Sequence, residues 1–389
     1  MCFIHRRRTL SRLLLAAALC MSTAGATRCA AQTGDASPFV TSYAQSPLDE
    51  AEELPQGRTN LLDVLLADAH PSYVEPYKVP NAIGDSLSGC MTVTSPFGTI
   101  TTCPQGGYAF KATSNNNAIL QNRVYCSWQY FDRASYVGAV EDPANFVDLQ
   151  RGVLGFEKLL IRDIYAIGVQ LPFHCQLASA LNTLADPTAT DFEFGNMTVY
   201  SKHVLLRKNI TTVTAGFALG LPTGDEFSLI AGGPTNVHIE NDAWTLTPYM
   251  TALFYDPDSP VYFQVFGQFD LPLDDNEVYI NGQQVGNMQD LTLFRLDGSV
   301  GIWLSRDMAG NGTAAIFELH YTACVDGDEN LTSGPVAITY SDNAQLNGTI
   351  GLGVLYDNWT LTPAVALPLL AAPNRTYDWE AQLLLERRL

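Results

Sequence analysis

Charge is scarce in this chain of 389 residues. Asp, Glu, Lys and Arg make up 16% of it, against about a quarter in an ordinary soluble domain. Positive charge is scarcer still, with 21 Lys and Arg facing 40 Asp and Glu for a formal net charge of −19. That balance excludes a nucleic-acid binder, since phosphates are gripped by clusters of Lys and Arg. Beyond the amino terminus no stretch reaches the ~18 consecutive apolar residues of a membrane-spanning helix. A P-loop, G-x-S-x-G, C-x-x-C and H-E-x-x-H are also missing, so the motif-borne chemistries of phosphate, serine, thiol and zinc sites have no support. These absences together predict a protein that is not an enzyme and has no cofactor or metal.

What is present begins with a processing signal. His5-Arg6-Arg7-Arg8 and Arg12 form a basic region, Leu13 to Met21 an apolar core, and small residues lead to a cleavage expected after Ala31. The core is too short to anchor the chain. Leu19 before Cys20 and Arg28 before Cys29 fit a lipidation site poorly. An exported, acidic chain without apolar helices either stays soluble or enters a membrane as a barrel.

The second positive feature is alternation. In Thr211–Leu221 the residues Val213, Ala215, Phe217, Leu219 and Leu221 fall on one side, and Thr212, Thr214, Gly216, Ala218 and Gly220 on the other. Side chains of a strand point to opposite faces in turn, and roughly ten such residues suit a strand tilted across a bilayer. The pattern recurs near 122–131, 149–158, 162–173, 195–207, 210–221, 243–255, 260–271, 292–305, 314–324, 346–356, 359–369 and 376–388. Short connections, such as Lys208-Asn209 and Asp357-Asn358, alternate with long ones over 132–148, 174–194, 222–242, 272–291 and 325–345. This predicts a transmembrane antiparallel β-barrel of about 12 strands over 122–389, with both termini on the short-turn side. A soluble sandwich would show the same alternation with its faces reversed; strand length, strand number and loop asymmetry favour the barrel.

The polar faces then supply a candidate lumen lining: Tyr262, Gln264, Gln268, Asp270, Arg295, Asp297, Glu318, His320, Glu380 and Gln382. On these faces Asp270, Asp297, Glu318, Glu380 and Glu386 outnumber Arg295, with Lys202 on a neighbouring strand, which predicts a modest cation preference at low salt. Ser201 and His203 share a face, as do Glu318 and His320 with Asp297 nearby; a hydrogen-bond network is the expected role of the latter group.

Residues 32–121 differ in character from the strand-bearing region. Gly34 to Gln56 is polar and Pro-bearing, a linker by composition, and Leu61 to Ala69 is a short apolar run suited to a helix. Met91 to Phe110 has Thr-rich β character broken by Pro96, Gly98 and Pro104. Cys90 and Cys103 flank the turn at Pro96-Phe97-Gly98 and are the expected disulfide; Cys175 and Cys324 belong to strands across the barrel and are not expected to reach each other. The domain plan is a signal peptide over 1–31, a linker and periplasmic or plug extension over 32–121, and an outer-membrane barrel over 122–389.

Several phrases resemble exported β-barrel proteins of planctomycete-type bacteria: Asn122-Arg123-Val124-Tyr125 with Tyr130-Phe131, Gly155-Phe156-Glu157-Lys158, Gly168-Val169-Gln170-Leu171-Pro172-Phe173, Phe194-Gly195-Asn196 and Gly220-Leu221-Pro222-Thr223-Gly224. More distantly they resemble the outer-membrane channel family associated with phenol meta-pathway degradation. The likeness covers about the last two-thirds of the chain and implies a fold and a location rather than a substrate. Those families end on an aromatic residue read by the barrel-assembly machinery, whereas this chain ends Arg387-Arg388-Leu389. The expected partners are outer-membrane lipids, that machinery and small solutes passing through a porin-like channel. The competing expectation is a structural or adhesive surface barrel with a closed lumen, and behind it a barrel enzyme acting on lipids.

Overall fold

A computed structural model describes residues 78–389 apart from 86, 88–89, 97, 104–108, 138–145, 162–163, 178–191, 209, 231–234, 328–329, 341–343 and 372–373. The signal peptide, the linker over 34–56 and the helix expected at 61–69 lie outside the described residues.

Twelve strands make one wall: β1 (Arg123–Val137), β2 (Phe146–Ile161), β3 (Tyr165–Leu177), β4 (Thr198–Lys208), β5 (Thr211–Gly220), β6 (Thr245–Tyr255), β7 (Val261–Pro272), β8 (Thr292–Arg306), β9 (Gly312–Asp326), β10 (Gln345–Tyr356), β11 (Trp359–Pro368) and β12 (Trp379–Arg388). Each pairs antiparallel with the next, and β12 returns to β1 with Leu383 opposite Trp128. Closure leaves the wall no unpaired edge, which is the condition for a sheet to sit in hydrocarbon.

The alternation read from the sequence sorts outward from inward. Along β8, Leu296 is 47% exposed while its neighbours Arg295 and Asp297 are 2% exposed. Leu154, Leu171, Phe217, Met250, Phe263, Phe317, Ile350 and Leu383 repeat the outward position around the barrel. Such a belt would be a large apolar patch in water; against lipid it is the ordinary outer surface of a membrane barrel. Toward the long-loop end, Trp128 and Tyr130 stack at 6.4 Å between ring centres and Tyr130 meets Trp379 at 5.2 Å, the aromatic girdle of an interface. The protein is thus an all-β outer-membrane barrel.

Inside, four tyrosines lie over glycines. Tyr125 sits opposite Gly155, Tyr200 opposite Gly168, Tyr249 opposite Gly216 and Tyr262 opposite Gly301. A Cβ at any of these glycines would lie only 1.9–2.6 Å from the ring Cζ, so the missing side chain is what makes room for each ring.

The two ends differ. At the short-turn end, the β8–β9 turn is tied by Asp307, which accepts the backbone N–H of Asn311 at 2.8 Å and its side-chain amide at 2.9 Å; these bonds hold the Asp307 carboxyl below its ordinary range. At the other end the stretches expected as loops over 222–242 and 272–291 contain a sheet of their own: Phe227–Ile230, Asn236–Ile239, Asp275–Ile280 and Gln283–Gln289. Its tight hairpin is made by Asn281 and Gly282, with φ of 52° and 79°, the pair of positive values that a type I′ turn needs.

Met91–Ser95 and Gly98–Thr102 form a second hairpin at that same end. It pairs with Val336–Tyr340, and Ile100 pairs with Val137 at the tip of β1. Met91, Val93 and Ile100 share one apolar cluster with Leu229, Val237, Val278, Met288 and Ile338, so hairpin and loop sheet bury each other. Cys90 and Cys103 are joined by a disulfide at the base of the hairpin. Below it the chain runs through the barrel in two passes, whose described residues are 78–85, 87 and 90 in the first and 103 and 109–122 in the second. The passes pair with each other where Ala82 and Asn116 exchange backbone hydrogen bonds.

Two outcomes check this arrangement. Leu296→Lys, which puts a charge on the lipid face, should cost ~2–4 kcal/mol near mid-depth, read as loss of the heat-modifiable folded band on gels. A tag inserted at Asn281-Gly282 should be reached by antibody on intact cells, and one replacing Asp357-Asn358 should not.

Candidate functional site

The site is the bore of the barrel. All ten residues named from the sequence as lumen lining, Tyr262, Gln264, Gln268, Asp270, Arg295, Asp297, Glu318, His320, Glu380 and Gln382, lie on the inward face and are at most 4% exposed. They do not border an open passage here, because the inner segment lies against them. Gln264 Nε2 donates to the Pro80 carbonyl at 3.2 Å, and Gln382 Nε2 to that of Gly84 at 2.7 Å. Gln268 accepts the Ala112 N–H at 2.6 Å and donates to the Phe110 carbonyl at 3.0 Å. Wall amides satisfy the backbone of irregular chain that water would otherwise solvate, and a buried unpaired peptide group is costly.

Carboxylates do the same work at higher strength. The two oxygens of Glu318 accept the backbone N–H groups of Ile83, at 3.0 Å, and Gly84, at 2.8 Å. Gly84 takes φ +83°, and a Cβ there would lie 2.9 Å from Ser114 Cα of the returning pass; glycine is what permits that approach.

Charged groups gather at two levels. Near the short-turn end, Arg123 at the start of β1 bonds Glu157 of β2, with Nη2 at 3.0 Å, and Glu386 of β12, with Nη1 at 2.7 Å. Lys202 of β4 reaches Glu157 at 3.0 Å from the other side. The inner segment completes the set: Asn81 donates to Glu386 at 2.6 Å, Lys202 donates to Asn116 at 2.9 Å, and Arg123 donates to the Asn115 carbonyl at 2.7 Å.

Further along the bore, Lys111 of the segment bridges Asp85, also of the segment, and Asp297 of β8, the latter at 3.0 Å. His320 sets one ring nitrogen against Asp297 at 3.0 Å, with the other 3.1 Å from Thr349 and 3.3 Å from Glu318. Asn347 and Thr113 add bonds to Asp85 and Asp297. Arg295 pairs with Asp270 at 2.8 Å. Asp85, Asp297 and His320 lie close enough together to hold a cation, and Lys111 supplies one.

Sequence reasoning missed part of this. It assigned faces on five strands, leaving out the first two, and Arg123, Arg151 and Glu157 of those two, with Arg388 at the end of the last strand, also point inward. The wall is therefore closer to electrical balance than Asp270, Asp297, Glu318, Glu380 and Glu386 set against Arg295 suggested. The same alternation would have found them: Arg123 with Tyr125, Ser127 and Gln129 of β1, Arg151 with Val153, Gly155 and Glu157 of β2, and Arg388 with Glu386 of β12. Lys111 and Asp85 had no such signal, since they lie off the strands. Ser201 and His203 face outward; the His203 ring lies 4.4 Å from that of Tyr165, and Ser201 Oγ bonds the Phe217 carbonyl.

Removing one partner of a buried ion network strands the others. Glu157→Gln should thus leave Arg123 and Lys202 short of a carboxylate and cost ~3–5 kcal/mol, measured as a fall in the urea midpoint of folded barrel in detergent.

No protein-family model matches the chain, and no curated protein does. Solved structures with a similar barrel include an outer-membrane channel from Pseudomonas putida, at 15% identity and a TM-score of 0.49 over 70% of this chain and 96% of that one. Another is a KdgM porin in complex with disordered oligogalacturonate, at 9% identity and 0.36 over 69% and 99%. A third is the translocator domain of the autotransporter NalP from Neisseria meningitidis, at 8% identity and 0.43 over 69% and 89%. Channel, porin and translocator share the barrel, and likeness at this level speaks of architecture alone.

Proposed function

We propose that the chain is a porin-like outer-membrane channel for small solutes, shut in this state by its own segment 78–122. The observation that carries the reading is how the segment is held. Its backbone is met by wall groups that could equally meet water: Gln264, Gln268, Gln382 and both oxygens of Glu318. A wall meant to stay sealed is served as well by apolar packing, which needs no polar group desolvated. A polar wall replaces the hydration shell of a solute, and the segment occupies that same surface.

The competing reading, a closed structural barrel, draws on the apolar contacts the segment also makes. Val79, Ala118 and Ile119 pack with Leu253, Tyr255, Tyr262 and Trp303. A lipid-acting enzyme has less to stand on, because Ser201 and His203 make separate contacts.

Planar-bilayer recording separates the two main readings. The full chain should show small or brief conductance steps, and a variant lacking 78–121 should show a large steady one at the same voltage. A truncated barrel that folds, migrates as a heat-modifiable band and still fails to conduct would establish the structural reading instead.

A further inference from the structure

The stretch 78–122 holds only three charged side chains, Lys78, Asp85 and Lys111. Lys78 stays at the short-turn end, donating to the Asp357 carbonyl at 3.0 Å. Lys111 is therefore the one ammonium group that the segment carries deep into the bore, where its side chain is 1% exposed. Burying an ammonium is expensive unless a matched seat awaits it, and the segment's only other deep charge is the Asp85 carboxylate beside it, which also meets Asn347 and His320 of the wall.

The seat is shared between the segment's own Asp85 and the wall. Asp297 receives Lys111, and Arg295, two residues along the strand, is already paired with Asp270. Glu318 stands beside it across His320, and its oxygens take two N–H groups from the segment. Following the ladder from Glu318 through Thr349 and Ala366 leads to Glu380, which is fully buried beside Tyr377 and Gln382. One arc of the bore thus presents Asp297 and Glu318, which share His320 of the wall and take their further N–H and ammonium partners from the segment, with Glu380 farther round.

We infer that this arc is a binding site for the ammonium group of a small solute, and that Lys111 is its built-in occupant. The inference rests on the channel reading and names its solute class: a primary amine, such as a diamine or a cationic amino acid, which replaces Lys111 on Asp297 and loosens the segment. A metal ion fits less well, because both nitrogens of His320 are committed to Asp297, Thr349 and Glu318. A quaternary ammonium fits less well because it has no N–H to donate.

Chemical rescue tests the site apart from conduction. In the full chain in detergent micelles, Lys111→Ala should lower the temperature at which the folded band is lost. Methylammonium chloride should restore it, whereas tetramethylammonium and magnesium chloride at equal ionic strength should not. Adding Asp297→Asn to Lys111→Ala should abolish the rescue. Equal recovery in all three salts, or none with methylammonium, overturns the proposal.

Should Lys111→Ala fail to fold, the unmodified chain decides. Methylammonium competes with Lys111 there, so protease cleavage within 78–122 should quicken several-fold over the rate in tetramethylammonium; equal rates overturn the proposal. The bilayer result for the truncated barrel is independent of both. Conduction without an amine effect removes this inference alone, and an amine effect without conduction removes the channel reading while leaving the site.

Discussion

A barrel of about eight strands can fill itself with its own side chains, but the bore widens with each added strand. Twelve strands enclose more room than inward side chains occupy, even with Arg123, Arg151 and Tyr262 pointing in. Something must take up that space, either water or protein, and here it is residues 78–122. Once the segment is in, the inward charges among the described residues are cut off from solvent and need partners within the bore. The arrangement of Glu157, Arg123, Lys202 and Glu386 at one level, and of Asp85, Lys111, Asp297 and His320 at the next, is set by that demand.

The same demand explains why the segment is so poor in charge yet so rich in Asn. The side chains of Asn81, Asn116 and Asn117 donate and accept at once, and that of Asn115 accepts, so a short irregular chain can bond itself and the wall together. Asn81 alone bonds Glu386, Asn115 and Asn117. Asn115 also takes the positive φ of 47° at a turn within the returning pass, a conformation Asn tolerates better than most residues.

The barrel was legible because its signal is local and repeated. Period-two alternation in Phe263–Leu271 or Phe294–Leu304 is visible within one strand, and short turns such as Asp357-Asn358 mark where the chain reverses. The loop sheet was missed although Asn281-Gly282 between Val278 and Val285 carried a hairpin signal, because loop length dominated the reading of 272–291. The segment's place was less accessible. Asp85 meets His320 and Asn347 across more than two hundred residues, and Ile83 meets Glu318. Nothing in 78–122 has the period of a strand or helix long enough to cross the barrel, so only the register of the whole barrel says which wall residues it will face.

The disulfide-based hairpin over 91–102 has a mechanical consequence. Both ends of the inner segment leave at the short-turn end, while its head is spread sideways at the far end by pairing with Val336–Tyr340 and Val137. Met91, Val93 and Ile100 of the head are also packed into the apolar cluster of the loop sheet. The segment is in effect riveted: it cannot slide out toward the short-turn side until the head comes apart, however weak its grip within the bore. Its residence time is then governed by local unfolding of a small sheet at the outer surface, and the contacts inside the bore are free to be polar, exchangeable and individually modest.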